Sequence, residues 1–110
     1  MPIVPFSDSA DSPWLDVLAE DGVVVLFKHS PSCGLSAIAY EEVSAFAAEN
    51  PDVPVRLVDV LNQRSFSNAI ESSLRIRHES PQTIVFRQGE PVWHGSHRKV
   101  TKVLLEAATR

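Results

Sequence analysis

The chain reads as an α/β protein: a mixed four-stranded sheet flanked by helices on both faces, with a possible extra N-terminal edge strand. Three observations predict this. Val23-Val24-Val25-Leu26-Phe27 is an unbroken β-branched and apolar run without alternation, which suits a central strand covered on both sides. Residues 55–60 form a second strand-type run, reached across a helical stripe, and strands joined by a crossover helix pair in parallel. Residues 83–87 and 91–94 flank Gln88-Gly89-Glu90 as an antiparallel hairpin. A parallel pair and a hairpin in one sheet make it mixed.

Taken in order, residues 3–6 can form the short edge strand. Ser12-Pro13 reads as a cap followed by proline at the first helical position. Trp14, Leu15, Val17 and Leu18 give that helix an apolar side, and Asp21-Gly22 ends it. After the central strand, Leu35, Ile38, Ala39, Val43 and Phe46 recur at helical spacing, from near Cys33 to a stop at Asn50-Pro51. Asn62 is a candidate cap for a third helix, on which Phe66, Ile70 and Leu74 fall four apart. Ser96 is the candidate cap of the last helix, with Val100, Val103, Leu104 and Ala107 as its apolar stripe. No repeat, low-complexity tract or linker divides residues 1–110, so one domain is expected.

Composition narrows the function classes. The 110 residues suit one modest core, and 44% apolar with 22% charged residues is usual for a soluble globular protein. A net charge of −4 favours neither nucleic acid nor an anionic membrane as partner. No apolar run approaches the ~20 residues that span a bilayer. The first six residues lack the cationic start and long apolar centre of a secretory signal. With one cysteine no internal disulfide can form, and a cytoplasmic monomer with a free thiol is expected.

That cysteine is the main chemical signal. Cys33 follows the strand run and the polar turn Lys28-His29-Ser30-Pro31-Ser32, just where the next helix begins. Orphan N–H groups and the macrodipole put partial positive charge at a helix start, which stabilises a thiolate. Cys33 is therefore a candidate nucleophile near neutral pH, against the plainer reading of a small buried hydrophobe.

Phe27-Lys28-His29-Ser30, the cysteine two residues past Pro31, Val58-Asp59-Val60, His78-Glu79-Ser80-Pro81-Gln82 and Val92-Trp93-His94-Gly95-Ser96-His97 together resemble the YtxJ-type bacilliredoxin family. These are monothiol, thioredoxin-like proteins of the bacillithiol system, also labelled general stress proteins. The resemblance covers about residues 12–109. It departs at Cys33-Gly34-Leu35-Ser36, where the family more often has proline after the cysteine. Cys-Gly-hydrophobic-Ser is also similar to the monothiol glutaredoxins that carry iron–sulfur clusters.

The resemblance implies a thioredoxin-like fold and assigns roles. Ser36 stands where two-cysteine oxidoreductases place the resolving thiol. A hydroxyl cannot displace a thiol from sulfur, so the mixed disulfide must wait for an external thiol. Ser36 either donates a hydrogen bond to the Cys33 thiolate or merely occupies the first helical turn. The resemblance makes Pro81 cis and opposite the nucleophile, with the Ser80 backbone pairing with the bound thiol. His29 and His78 read as structural. His94 and His97 are spaced like ligands, but no second cysteine completes a zinc set, and no metal is expected. His97, Arg98 and Lys99 put positive charge at the start of the last helix, either a solvated turn or a site for the malate carboxylates of bacillithiol. Lys28 is a candidate neighbour of the thiolate.

The expected activity is thiol–disulfide oxidoreduction, with Cys33 and Pro81 as the catalytic pair. The Cys33 thiolate would remove bacillithiol from bacillithiolated proteins after oxidative stress. Bacillithiol is then a co-substrate, and no tightly bound cofactor is expected. The alternative is a non-enzymatic carrier in which two chains bridge a [2Fe–2S] cluster. Glutathione-binding glutaredoxins carry Gly-Gly-x-Asp after the hairpin, where this chain has Gly95-Ser96-His97-Arg98 without an acidic residue.

Overall fold

The computed structural model describes residues 4–5, 22–30 and 34–110, the side chains of Val4, Pro5, Phe66 and Ser73 excepted. The helix expected from Pro13 onward therefore lies outside the described residues. The strands are β1 (Val4–Pro5), β2 (Val23–His29), β3 (Val55–Asp59), β4 (Gln82–Arg87) and β5 (Glu90–Ser96). The described helices are α1 (Gly34–Glu49), α2 (Arg64–Leu74) and α3 (Lys102–Thr109), with a 3-10 turn at His97–Lys99 before α3.

The strands form one sheet in the order β1-β3-β2-β4-β5. β1 and β2 both pair parallel with β3, while β2–β4 and β4–β5 are antiparallel. The mixed sheet and the N-terminal edge strand are thus present. Pro5 lacks an N–H and is tolerated because β1 is an edge. The hairpin turn uses Gln88 (φ 54°) and Gly89 (φ 78°), the paired positive angles that match strand twist in a two-residue turn. Val85 faces Trp93 but Phe86 faces Pro91, so Val92 is an extra residue that bulges β5.

Alternation along the strands divides the core. Val25, Phe27, Val55 and Val85 face α1 and α3, meeting Ala39, Val43, Phe46, Ala47, Val100 and Leu105. Val24, Leu26, Val58, Ile84 and Phe86 face the other way, against Ile70 with Leu74 and Ile76. β2 lies between β3 and β4 and is buried along its centre, as its unbroken apolar run requires.

Four local expectations are corrected. On α1 the buried residues are Ser36, Ala39, Val43, Phe46 and Ala47, whereas Leu35 and Ile38 are exposed, Ile38 by 61%. Ile38 stands about 100° round the helix from Ala39, outside the buried stripe. Asn62 does not cap α2; its amide donates to Asp59 Oδ2 at 2.8 Å, and Gln63 holds the cap position with its side chain turned back to accept from Asp59 N at 3.0 Å. The last helix starts later than Ser96 suggests, because the 3-10 turn intervenes and Thr101 Oγ1 accepts from Leu104 N at 3.2 Å. That start turns Leu105 inward and leaves Val103 72% exposed and Leu104 exposed.

Candidate active site

The C-terminal ends of β2, β3 and β5 and the N-terminal end of β4 meet at one edge, since Lys28 pairs with both Val58 and Gln82 and Gln82 with Ser96. The described residues among the sequence-predicted site, Lys28, Ser36, Ser80, Pro81, His97, Arg98 and Lys99, sit on or beside these strand ends in the chain. Cys33, with Pro31 and Ser32, lies outside the described residues. The residue after it, Gly34, is the first of a 16-residue helix. The flanks of the Cys33 segment are tied together: Ser36 Oγ, fully buried, accepts from Ser30 N at 3.3 Å. This bond satisfies a buried backbone N–H and leaves the Ser36 hydroxyl proton unused in it.

The Ser80–Pro81 peptide bond is cis. Pro81 is buried, and its carbonyl accepts from His97 N at 2.8 Å, which joins the segment before β4 to the turn after β5. Ser80 Oγ and His29 Nδ1 are buried and without a hydrogen-bond partner among the described residues. The His29 ring packs against Tyr40 and Phe27, at centroid distances of 5.2 and 5.5 Å. Burial holds its imidazole below the usual histidine range, against the opposing pull of Asp59.

His97, Arg98 and Lys99 are all exposed and form the 3-10 turn. They do not occupy the start of α3, which corrects the expected placement. The first amide of α3, Lys102 N, instead donates to Glu42 Oε1 at 3.0 Å, so a carboxylate of α1 already holds that position. Two hollows flank the basic turn. One, of about 330 Å³, is lined by the apolar Leu35, Ile38, Ala39 and Val100 together with Glu42, His97, Arg98 and Thr101. The other, of about 250 Å³, is lined by Glu79, His94, Gly95, Ser96, His97 and Lys99. His97 Nδ1 lies 3.5 Å from Glu79 Oε2 across the second hollow. Among the described residues no group of three or more His, Cys, Asp or Glu is arranged to hold a metal ion.

Lys28 is where the sequence reading departs most from the structure. Its side chain is fully buried, and Nζ lies 3.2 Å from His78 Nδ1 and 3.4 Å from the Ser67 carbonyl. It shares the α2-facing side of β2 with Val24 and Leu26, so its charge is committed to α2 and the segment before Pro81. His78, read as structural, is a member of this cluster. A sequence signal for it existed: period-two alternation puts residues 24, 26 and 28 on one buried face. Glu42 and the exposed pair Leu35 and Ile38 were also missed, and only the observed packing of α1 against α3 identifies them.

Comparison with known proteins agrees with the motifs. A solved structure described as a candidate oxidoreductase with a thioredoxin fold superposes with a TM-score of 0.86 at 31% identity, covering 97% of this chain and 95% of that one. Thioredoxin from Fasciola hepatica gives a TM-score of 0.76 at 19% identity, covering 97% and 96% of the two chains. Thioredoxin from Trypanosoma brucei brucei gives 0.74 at 21% identity, covering 96% and 86%. The fold is thioredoxin-like, and redox chemistry follows from it together with the family. Residues 9–105 match the family model described as monothiol bacilliredoxin BrxC, and the chain belongs to that family.

Proposed function

We propose that this protein acts as a monothiol bacilliredoxin on protein–bacillithiol mixed disulfides. The Cys33 thiolate attacks the bacillithiol sulfur and the protein thiolate leaves. A disulfide between Cys33 and bacillithiol results. A second thiol, another bacillithiol or a reductant, then attacks that disulfide and frees Cys33, so each turnover converts one mixed disulfide and one thiol into one protein thiol and one new disulfide. The observation that carries this reading is a thioredoxin-like fold of the BrxC family holding one cysteine, with a buried Ser36 at the resolving position. No second thiol in the chain can complete the exchange.

Each neighbouring group has a role in this reading. The helix that begins at Gly34 favours the Cys33 thiolate through its dipole and free amides. The unused Ser36 hydroxyl proton can add a hydrogen bond. The Ser80 backbone before Pro81 pairs with the incoming thiol, and Arg98 and Lys99, with His97, attract the malate carboxylates of bacillithiol. Bacillithiol is a co-substrate, and the protein works as a monomer in a reducing compartment. No helix among the described residues is long and apolar enough to cross a membrane.

The test uses a reporter protein carrying bacillithiol on its one cysteine. The wild-type protein should release the reporter thiol, and Cys33→Ser should release none. Absence of release, together with a brown protein showing cluster absorption, would overturn this reading in favour of the iron–sulfur carrier.

A further inference from the structure

A buried polar cluster lies under the segment that leads into Pro81. Lys28 of β2 has no exposed surface, and an ammonium group can only donate hydrogen bonds. Its partner His78 Nδ1, at 3.2 Å, must then accept, which fixes the ring as the neutral tautomer with its proton on Nε2. Ser67 Oγ of α2 lies 3.2 Å from the same nitrogen. Glu71 Oε2, also on α2, accepts from the His78 backbone N at 2.6 Å. Gln82 Nε2 donates to Arg77 O at 2.9 Å. Residues 76–79 belong to no helix or strand, so these side chains give the segment its place. Besides Glu71, the charges facing the cluster are Arg64 of α2 and Glu79 of the segment itself.

Resting on the exchange reaction above, we propose that Lys28 is a positioning residue: through His78 it holds Glu79, Ser80 and Pro81 in place to receive the mixed disulfide. Among the described residues the Lys28 ammonium bonds to His78 Nδ1 and the Ser67 carbonyl. Its contribution is to the loop, and through the bond from His97 N to Pro81 O it extends to the basic turn. Burial and the nearby Lys28 charge both hold His78 below the usual histidine range, which keeps its Nδ1 free to accept at neutral pH.

Wild type, Lys28→Met and His78→Gln, which retains an acceptor, are compared in three measurements. The first is release of a bacillithiolated reporter. The second is alkylation of Cys33 by iodoacetamide, which reads the thiolate without using the loop. The third is the amide NMR spectrum. Lys28→Met should lower kcat/KM for release roughly tenfold, about the loss of one charge-assisted hydrogen bond. It should change alkylation less than twofold, and it should shift the Glu79, Ser80 and His97 amides. His78→Gln should recover most of the release rate. Release and alkylation falling together would place Lys28 on the thiol rather than the loop and overturn the proposal, as would unchanged release and amides. If Lys28→Met fails to fold, His78→Ala breaks the same link and must give the same pattern. If wild type released nothing, the reading of the reaction would fall, while the amide shifts would still decide whether Lys28 holds the loop.

Discussion

Lys28→Met should make the protein more stable at neutral pH even as it slows exchange. Burial lowers the Lys28 ammonium from 10.5 to about 8, against the pull of Glu71. The folded chain therefore gives up this proton sooner than the unfolded one. Between pH 8 and 10.5 the unfolded chain binds the proton and the folded chain does not, so stability rises with pH across that window. Below the window the full cost of the buried charge remains. At about 1.4 kcal/mol per unit, that cost is on the order of 3 kcal/mol at pH 7. Methionine has a similar length and no charge, and His78 Nδ1 keeps Ser67 Oγ at 3.2 Å. Urea unfolding with the thiol reduced should show the variant more stable by up to about 3 kcal/mol at pH 7, roughly 10–20 °C in Tm. The gap should shrink by about 2 kcal/mol by pH 10, as the wild-type lysine loses its charge. A variant less stable at pH 7, or a gap equal at both pH values, would mean that desolvation of Lys28 is not the dominant cost. The first result would mean that the bonds to His78 and Ser67 outweigh desolvation.

Four further variants probe the site's surroundings. A Cβ on Gly95 would lie 2.5 Å from Trp93 Cη2 and 2.8 Å from Cζ2, so Gly95→Ala should cost about 1–3 kcal/mol, read as a lower Tm. Ser36→Ala removes the acceptor of the buried Ser30 N–H and should destabilise by about 1–3 kcal/mol in urea unfolding; Ser36→Cys should instead let an internal disulfide form, seen as the loss of two hydrogens by mass. Arg98→Ala with Lys99→Ala should narrow the preference for bacillithiol over glutathione in mixed-disulfide formation and leave Tm nearly unchanged, since both side chains are exposed.

Patterns that repeat were legible in the chain, and single contacts between distant elements were not. The apolar run of β2, the stop at Asn50-Pro51 and the Gln88-Gly89 turn are local signals, and each appears where it was read. Residues 23–27 could be read as a buried strand without a partner in view. Lys28 was read by its charge, not by its register, and so its burial beside Val24 and Leu26 was not foreseen. Thr101 and Ser96 are both plausible caps; the choice between them depends on a three-residue 3-10 turn whose His-Arg-Lys sequence carries no turn signal. Leu105 rather than Leu104 faces the core because that turn delays α3. Glu42 at the start of α3 joins elements 60 residues apart, which no window of sequence displays. Ser-Pro is an ordinary dipeptide, and only the fold resemblance singled out Ser80–Pro81.

If Cys33 is a nucleophile selective for bacillithiol, intact mass registers the adduct itself. Reduced wild type and Cys33→Ser are incubated separately with oxidised bacillithiol and oxidised glutathione, and the mass is followed over time. One bacillithiol adduct is expected on wild type, none on Cys33→Ser, and slower addition of glutathione. No adduct on wild type, an adduct that persists in Cys33→Ser, or equal rates for the two disulfides would contradict this role of Cys33.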